Sequence, residues 1–186
     1  MTAASSLATS PPVVASITEV YRLHAADVAR WAARLGGPTV DVEDVVQDVF
    51  LTAHRLLPEF RGEAKITTWL FRITQNQVRH RLRRLRLRRI FSSSDENDLV
   101  AELPSHAPLP SDDLERKEAR AAVYRILDGM SEKYRTAFIL FEIEKLPGEE
   151  IAQLMNQKVA TIWVWLHRAR AQFLDGLEKL NKSERS

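Results

Sequence analysis

The sequence contains no cysteine, which excludes disulfides, thiolate zinc sites and a cysteine nucleophile. Its five histidines, His24, His54, His80, His106 and His167, are scattered and never fall at a metal-ligand spacing such as H-E-x-x-H. No apolar run reaches the roughly 18 residues that suggest a membrane span. The opening stretch MTAASSLATSPPVVAS lacks the basic residue and apolar block of a signal peptide, so residues 1–16 read as a disordered tail on a soluble, cytoplasmic protein. No nucleotide-binding glycine loop, metal cluster or catalytic triad is visible. The chain is expected not to be an enzyme and to need no cofactor and no metal. Net charge is also scarce, at +2, so the chain is no simple polycation and the placement of its charges carries the information.

What is present is helix. Hydrophobic residues make up 45% of 186, enough for one ordinary domain or two small ones. Strand signals are nearly absent, and apolar residues recur at helical spacing. In DVEDVVQDVFLTAHRLL the residues Val42, Val45, Val46, Val49, Phe50, Ala53 and Leu57 form one such face. Asp41 is the expected N-cap, after a turn marked by Gly36, Gly37 and Pro38. A second helix is expected from about Thr67 to Arg89, turning Trp69, Leu70, Ile73 and Val78 inward. Residues 92–113, SSSDENDLVAELPSHAPLPSDD, break all periodicity; they hold six acidic residues and no lysine or arginine. They read as a flexible acidic linker. The expected architecture is all-α: a helical domain over 17–91, the linker, a second helical domain over 114–180 and a short tail over 181–186.

Charge is concentrated in RHRLRRLRLRR, residues 79–89. Arg79, Arg81, Arg83, Arg84, Arg86, Arg88 and Arg89 have no carboxylate between them. Such a run neutralises phosphates and releases their counterions; a solvated face or a surface for acidic protein also fits it. On the preceding helix Asp44, Gln47, Asp48, Leu51 and Arg55 form a stripe opposite the valine-rich face. A solvated face has this pattern, but the apolar Leu51 within it hints at a protein partner.

From Leu146 the sequence LPGEEIAQLMNQKVATIWVWLHRARAQF places Ile151, Leu154 and Met155 on one helical face. A polar break, NQK, follows. Val159, Ile162, Leu166, Ala169 and Phe173 then lie on the face of a second helix. This is the helix-turn-helix pattern, although any tight helical hairpin would share it. At 100° per residue, Ala160, Val164, His167 and Arg168 point away from the apolar stripe, and Trp163 and Trp165 lie on its shoulders. Trp165 also fits a packing position against the preceding helix. The outward face is unusually apolar, suited to van der Waals contact with thymine methyls more than to bidentate hydrogen bonds.

Three segments in this order resemble the bacterial RNA polymerase sigma factors of the extracytoplasmic-function (ECF) type. DVEDVVQDVFLTAHR is similar to their core-binding segment, FRGEAKITTWLFRITQN to part of their promoter-melting domain, and EEIAQLMNQKVATIWVWLHRAR to their C-terminal helix-turn-helix. The resemblance covers about residues 17–180. It implies domains two and four of a sigma factor, binding polymerase core and melting promoter DNA. It assigns Asp41, Asp44, Gln47, Asp48, Leu51 and Arg55 to the clamp helices of the polymerase β′ subunit, with further contacts on β. Arg61, Gly62, Lys65, Arg72, Asn76, Arg79, Arg83 and Arg84 would engage the −10 region, where a base is flipped at a cost of a few kcal/mol. Lys158, Ala160, Thr161, Trp163, Val164, His167, Arg168 and Arg170 would engage the −35 region. The linker would thread toward the polymerase active site and RNA exit, and an anti-sigma factor is an expected partner.

The sequence also departs from the family pattern. Asn156 stands for the usual turn glycine, which asparagine tolerates in left-handed backbone. Trp163, Val164 and Trp165 stand where R-S-R is common, so promoter sequence does not carry over. A DNA-binding regulator that never joins polymerase would use the same helix-turn-helix, but gives no reason for the Asp44–Leu51 stripe. A helical scaffold leaves the arginine run unexplained.

Overall fold

The structure, a computed structural model, describes residues 16–92 and 111–183, and every regular element among these residues is helical. The expected N-terminal tail, 1–16, lies outside the described residues except for Ser16, and the expected linker, 92–113, except for residue 92 and residues 111–113, which belong to helices.

Helix α1 spans Ile17–Gly36 and begins where the Ser16 hydroxyl accepts the Glu19 N–H at 3.3 Å. It stops at Gly37, whose φ of +71° only glycine adopts without strain. Pro38 then allows one turn of 3₁₀-helix over Gly37–Thr39. Helix α2, Val42–Leu56, starts at the expected cap: Asp41 accepts the Asp44 N–H at 3.1 Å. After a second 3₁₀ turn, Leu57–Glu59, the long helix α3 covers Ile66–Ser92. The three helices close on Val28, Val45, Val49, Leu70 and Phe71, all fully buried. Trp31 meets Phe71 edge to face at 5.3 Å.

The C-terminal half holds α4 (Ser111–Asp128), α5 (Glu132–Phe138), α6 (Gly148–Met155) and α7 (Val159–Ser183). Its core is Leu127, Ile139, Ile151, Ile162, Leu166 and Ala169, with Phe138 stacked on Phe173 at 4.8 Å. Helix α7 runs past the expected tail boundary at residue 181. Gly176 does not break it, and its lack of a Cβ lets α4 approach, since a Cβ there would lie 2.5 Å from Ile126. Helix α5 continues into a π-helical turn, Ile139–Ile143, a widened turn frequently found at functional sites.

The two halves pack against each other, which hydrophobic periodicity did not foreshadow. The Tyr124 hydroxyl donates to the Arg34 carbonyl at 2.8 Å, and its ring lies on Gly37, where a Cβ would be 2.5 Å away. Arg30 and Arg34 converge on Glu144 at 3.0 and 2.7 Å. Arg135, buried, pairs with Asp128 and donates to the Leu35 carbonyl at 2.8 Å. Gln75 donates to Thr136 at 3.2 Å.

Candidate nucleic-acid and partner interfaces

The Asp44–Arg55 stripe divides into two unlike halves. Arg81, reaching over from α3, binds Asp44 at 3.0 Å and Asp48 at 2.6 Å. Burial by itself lowers the Arg81 pKa, but the hydrogen bonds and charges of Asp48 and Asp44 outweigh it and raise the value. The acidic half is therefore matched by a fixed cation. Gln47 and Leu51 instead line a groove of about 710 Å³ between α1 and α2, shared with Tyr21, Val46 and Phe50. Leu51 is 55% exposed and Tyr21 52%, so an isolated chain leaves this apolar surface in water. Asp41 is occupied as the helix cap, and exposed Arg55 donates to Thr52 at 3.4 Å. Helical period placed Leu51 in this stripe, whereas Tyr21, and the reach of Arg81 from the arginine run to Asp44 and Asp48, depend on other helices.

The second expected surface begins with Arg61 and Gly62, exposed in the loop before α3, where Gly62 takes a φ of +72°. Lys65 donates to Gln153 of α6 at 3.3 Å. Arg72 and Asn76 are exposed on α3, and Asn76 accepts from Arg79 at 2.7 Å. No carboxylate lies between the arginines of residues 79–89 along the chain, but carboxylates meet them in space. Arg79 lies 3.5 Å from Glu132, Arg81 binds Asp44 and Asp48, and Arg86 donates to the Asp128 carbonyl at 2.9 Å. Tertiary packing thus engages three arginines of the run. Arg83 and Arg84 remain exposed, with no ion pair among the described residues. Trp69 is half-buried with its ring 5.1 Å from Phe60, at the margin of the core.

The third surface is a helix-turn-helix in its local geometry. Asn156 adopts the left-handed conformation (φ 51°, ψ 53°), and the Gln157 N–H returns to the Ala152 carbonyl at 2.8 Å. Ile151, Leu154, Ile162 and Leu166 close the hairpin. On the opposite face of α7, Ala160, Trp163, Val164 and His167 are exposed at spacing i, i+3, i+4 and i+7. Lys158 is exposed at the helix start, and Thr161 is half-buried. Both arginines are engaged within the protein. Arg168 donates to the Tyr134 hydroxyl at 3.1 Å, while Arg170 binds Glu142 at 2.7 Å and lies over the Phe141 ring.

The two tryptophans separate. Trp165 is half-buried beside Met155, Gln75 and Lys133, whose ammonium lies 5.8 Å from its ring. Trp163 stays 45% exposed but is braced. Its ring meets Phe141 edge on at 5.5 Å, and a Cβ on Gly148 would come within 2.7 Å of it.

Among the described residues no cluster of histidine and carboxylate side chains could hold a metal ion, and no helix is long and apolar enough to cross a membrane.

Residues 20–88 match the family model described as Sigma-70 region 2, and residues 120–173 match Sigma-70, region 4. The ECF RNA polymerase sigma-E factor of Escherichia coli K12 is 36% identical over 139 residues, 72% of each chain. The ECF RNA polymerase sigma factor SigE of Mycolicibacterium smegmatis is 32% identical, over 87% of this chain and 61% of the relative. In fold, the chain is similar to CnrH, solved in complex with the cytosolic domain of CnrY (TM-score 0.57, 23% identity, 88% of each chain). It is also similar to the sigma factor RpoE of Bartonella quintana, solved with the anti-sigma factor NepR (TM-score 0.55, 22% identity, 87% of this chain and 96% of that one).

Proposed function

The chain belongs to the ECF family of RNA polymerase sigma factors, and on that premise we propose that it docks on polymerase core through α2, melts the −10 region with α3 and reads the −35 region with α7. The observation that carries the docking assignment is the open apolar groove around Leu51 and Tyr21 beside the Asp44–Asp48 carboxylates. An exposed apolar patch rimmed by charge marks a protein-binding surface, and the clamp helices of β′ are its occupant in this reading. Contacts on β complete the polymerase interface. A protein antagonist of the anti-sigma class would silence the chain by covering the same groove.

No bond is made or broken by such a subunit; its work is done with binding energy. Unstacking a base costs a few kcal/mol, and the exposed Arg61, Arg72, Arg83 and Arg84 offset that through phosphate contacts. In the same reading the module boundaries are residues 17–91 and 114–180.

The test is transcription in vitro with bacterial core polymerase on a fragmented genomic library, mapping transcript starts. Discrete starts that depend on this chain and share two motifs are expected. Leu51→Arg should abolish them with little change in stability, because exposed sites away from caps and cores shift stability by about 0.5 kcal/mol or less. DNA binding without any start sites would leave a regulator that never joins polymerase.

A further inference from the structure

We propose that α7 reads its DNA element chiefly by apolar contact, with Val164 against the 5-methyl group of a thymine and Trp163 as the positioning residue that holds Val164 there. The proposal rests on the reading of α7 as the −35 helix and adds what that helix recognises.

Ala160, Trp163, Val164 and His167 share the exposed face of α7, and Val164 is 50% exposed near its centre. Hydrogen-bonding readers are scarce. Arg168 is held by Tyr134 and Arg170 by Glu142, and Thr161 is half-buried. Lys158 and His167 remain, at the two ends of the face. Alanine and valine neither donate nor accept. The one feature of the major-groove edge that such side chains distinguish is the thymine methyl.

Charge identifies the occupant as nucleic acid rather than a protein surface. From Val159 to Leu174 the helix carries no carboxylate; Lys158 and His167 lie exposed at the two ends of the apolar patch, and Arg168 bonds a phenol rather than a carboxylate, whereas Arg170 is paired with Glu142. A polyanion is attracted by the cationic rim and meets no repulsion from α7. The patch is also continuous with the helix-turn-helix of the Sigma-70 region 4 match.

Trp163 occupies the shoulder of this face in a fixed pose. Gly148, the first residue of α6, leaves room for its ring, and Phe141 supports the edge. A side chain braced on two sides fixes how far α7 can roll against α6, and so where Val164 points. The Gly148–Trp163 pair is one device in two parts, since any Cβ at position 148 displaces the indole.

The test uses holoenzyme reconstituted from this chain and bacterial core polymerase on a promoter found by transcript mapping. Each −35 thymine is replaced in turn by deoxyuridine, which removes only the methyl. At one position, or at two neighbouring ones, promoter occupancy should fall about fourfold, the worth of one buried carbon. Val164→Ala should lose affinity for the thymine promoter and become indifferent to deoxyuridine at that position. Trp163→Phe should keep the methyl effect, and Trp163→Ala should blunt it at unchanged core affinity. Specific transcription that ignores every deoxyuridine would overturn the proposal and leave the sigma-factor reading standing. A complete absence of chain-dependent starts would overturn both. If Val164→Ala keeps the wild-type penalty, the methyl is read by another residue and the assignment to Val164 fails.

Discussion

The Arg135 guanidinium donates to the main-chain carbonyl of Leu35 at 2.8 Å, across the seam between the two helical halves. The same side chain pairs with Asp128 and is buried. Burial lowers its pKa, opposed by the Asp128 carboxylate. Removing a buried partner leaves its counterpart uncompensated, at about 3–5 kcal/mol for a fully buried pair. Asp128 retains 37% side-chain exposure, so Arg135→Ala should cost closer to 2 kcal/mol, discounted for solvent screening. Urea unfolding checks the loss, and X-ray scattering should show a larger radius as the halves separate. An unchanged radius would mean that the seam stands without Arg135.

On α2, the proposed docking face, Arg81 lies between Asp44 and Asp48. Reversing both carboxylates to arginine would put three guanidinium groups together and strain α2 against α3. Asp44→Asn with Asp48→Asn removes the charge and keeps the shape. Affinity for polymerase core is expected to fall at least tenfold, about 1.4 kcal/mol, read by fluorescence titration. Unchanged affinity would limit docking to the apolar half around Leu51.

Arg83 and Arg84 are the members of the run best placed for phosphate, being exposed and without ion pairs among the described residues. Their joint replacement by alanine should weaken holoenzyme binding on every promoter alike. It should also lower the slope of log K against log salt by about two, roughly one per phosphate lost. The same replacement at Arg81 should act through stability instead, by freeing Asp44 and Asp48.

Burial pushes the Tyr124 phenol up in pKa, although Arg120, Arg34 and Arg135 pull it down. The folded value lies above the unfolded one, so the neutral phenol is favoured by folding. Its stabilising hydrogen bond to the Arg34 carbonyl is fully present below the ordinary tyrosine value of about 10. It is lost as pH rises through the folded value. Tyr124→Phe should cost about 1 kcal/mol at neutral pH and shrink the alkaline fall in melting temperature. A fall of equal size in the variant would assign it to other groups.

Local features of this fold were legible because their causes are local. Asp41 caps α2 through an amide three residues away, and Asn156 turns the helix-turn-helix by its own tolerance of positive φ. The outward face of α7 followed from period alone. The seam was not legible, because Arg135 and Leu35, or Glu144 and Arg30, meet across about a hundred residues of sequence with no pattern linking them. The π-helical turn was hidden for a related reason. FILFEIEKL has ordinary helical composition, and only packing dictates that Phe141 and Glu142 serve α7 while Glu144 serves α1. The partial neutralisation of the arginine run depended on carboxylates from α2, α4 and α5.

The seam also sets a limit on reach. Promoter elements centred near −10 and −35 lie about 25 base pairs apart, roughly 85 Å along the duplex at about 3.4 Å per step. A compact chain of this length has a radius of gyration of only about 16 Å, so on the proposed assignment of α3 to the −10 and α7 to the −35 region the two surfaces cannot span that distance while Arg135, Tyr124 and Glu144 hold the halves together. On that assignment, engaging both elements at once requires the seam to come apart, and its ion pairs and hydrogen bonds become part of the free energy of promoter recognition.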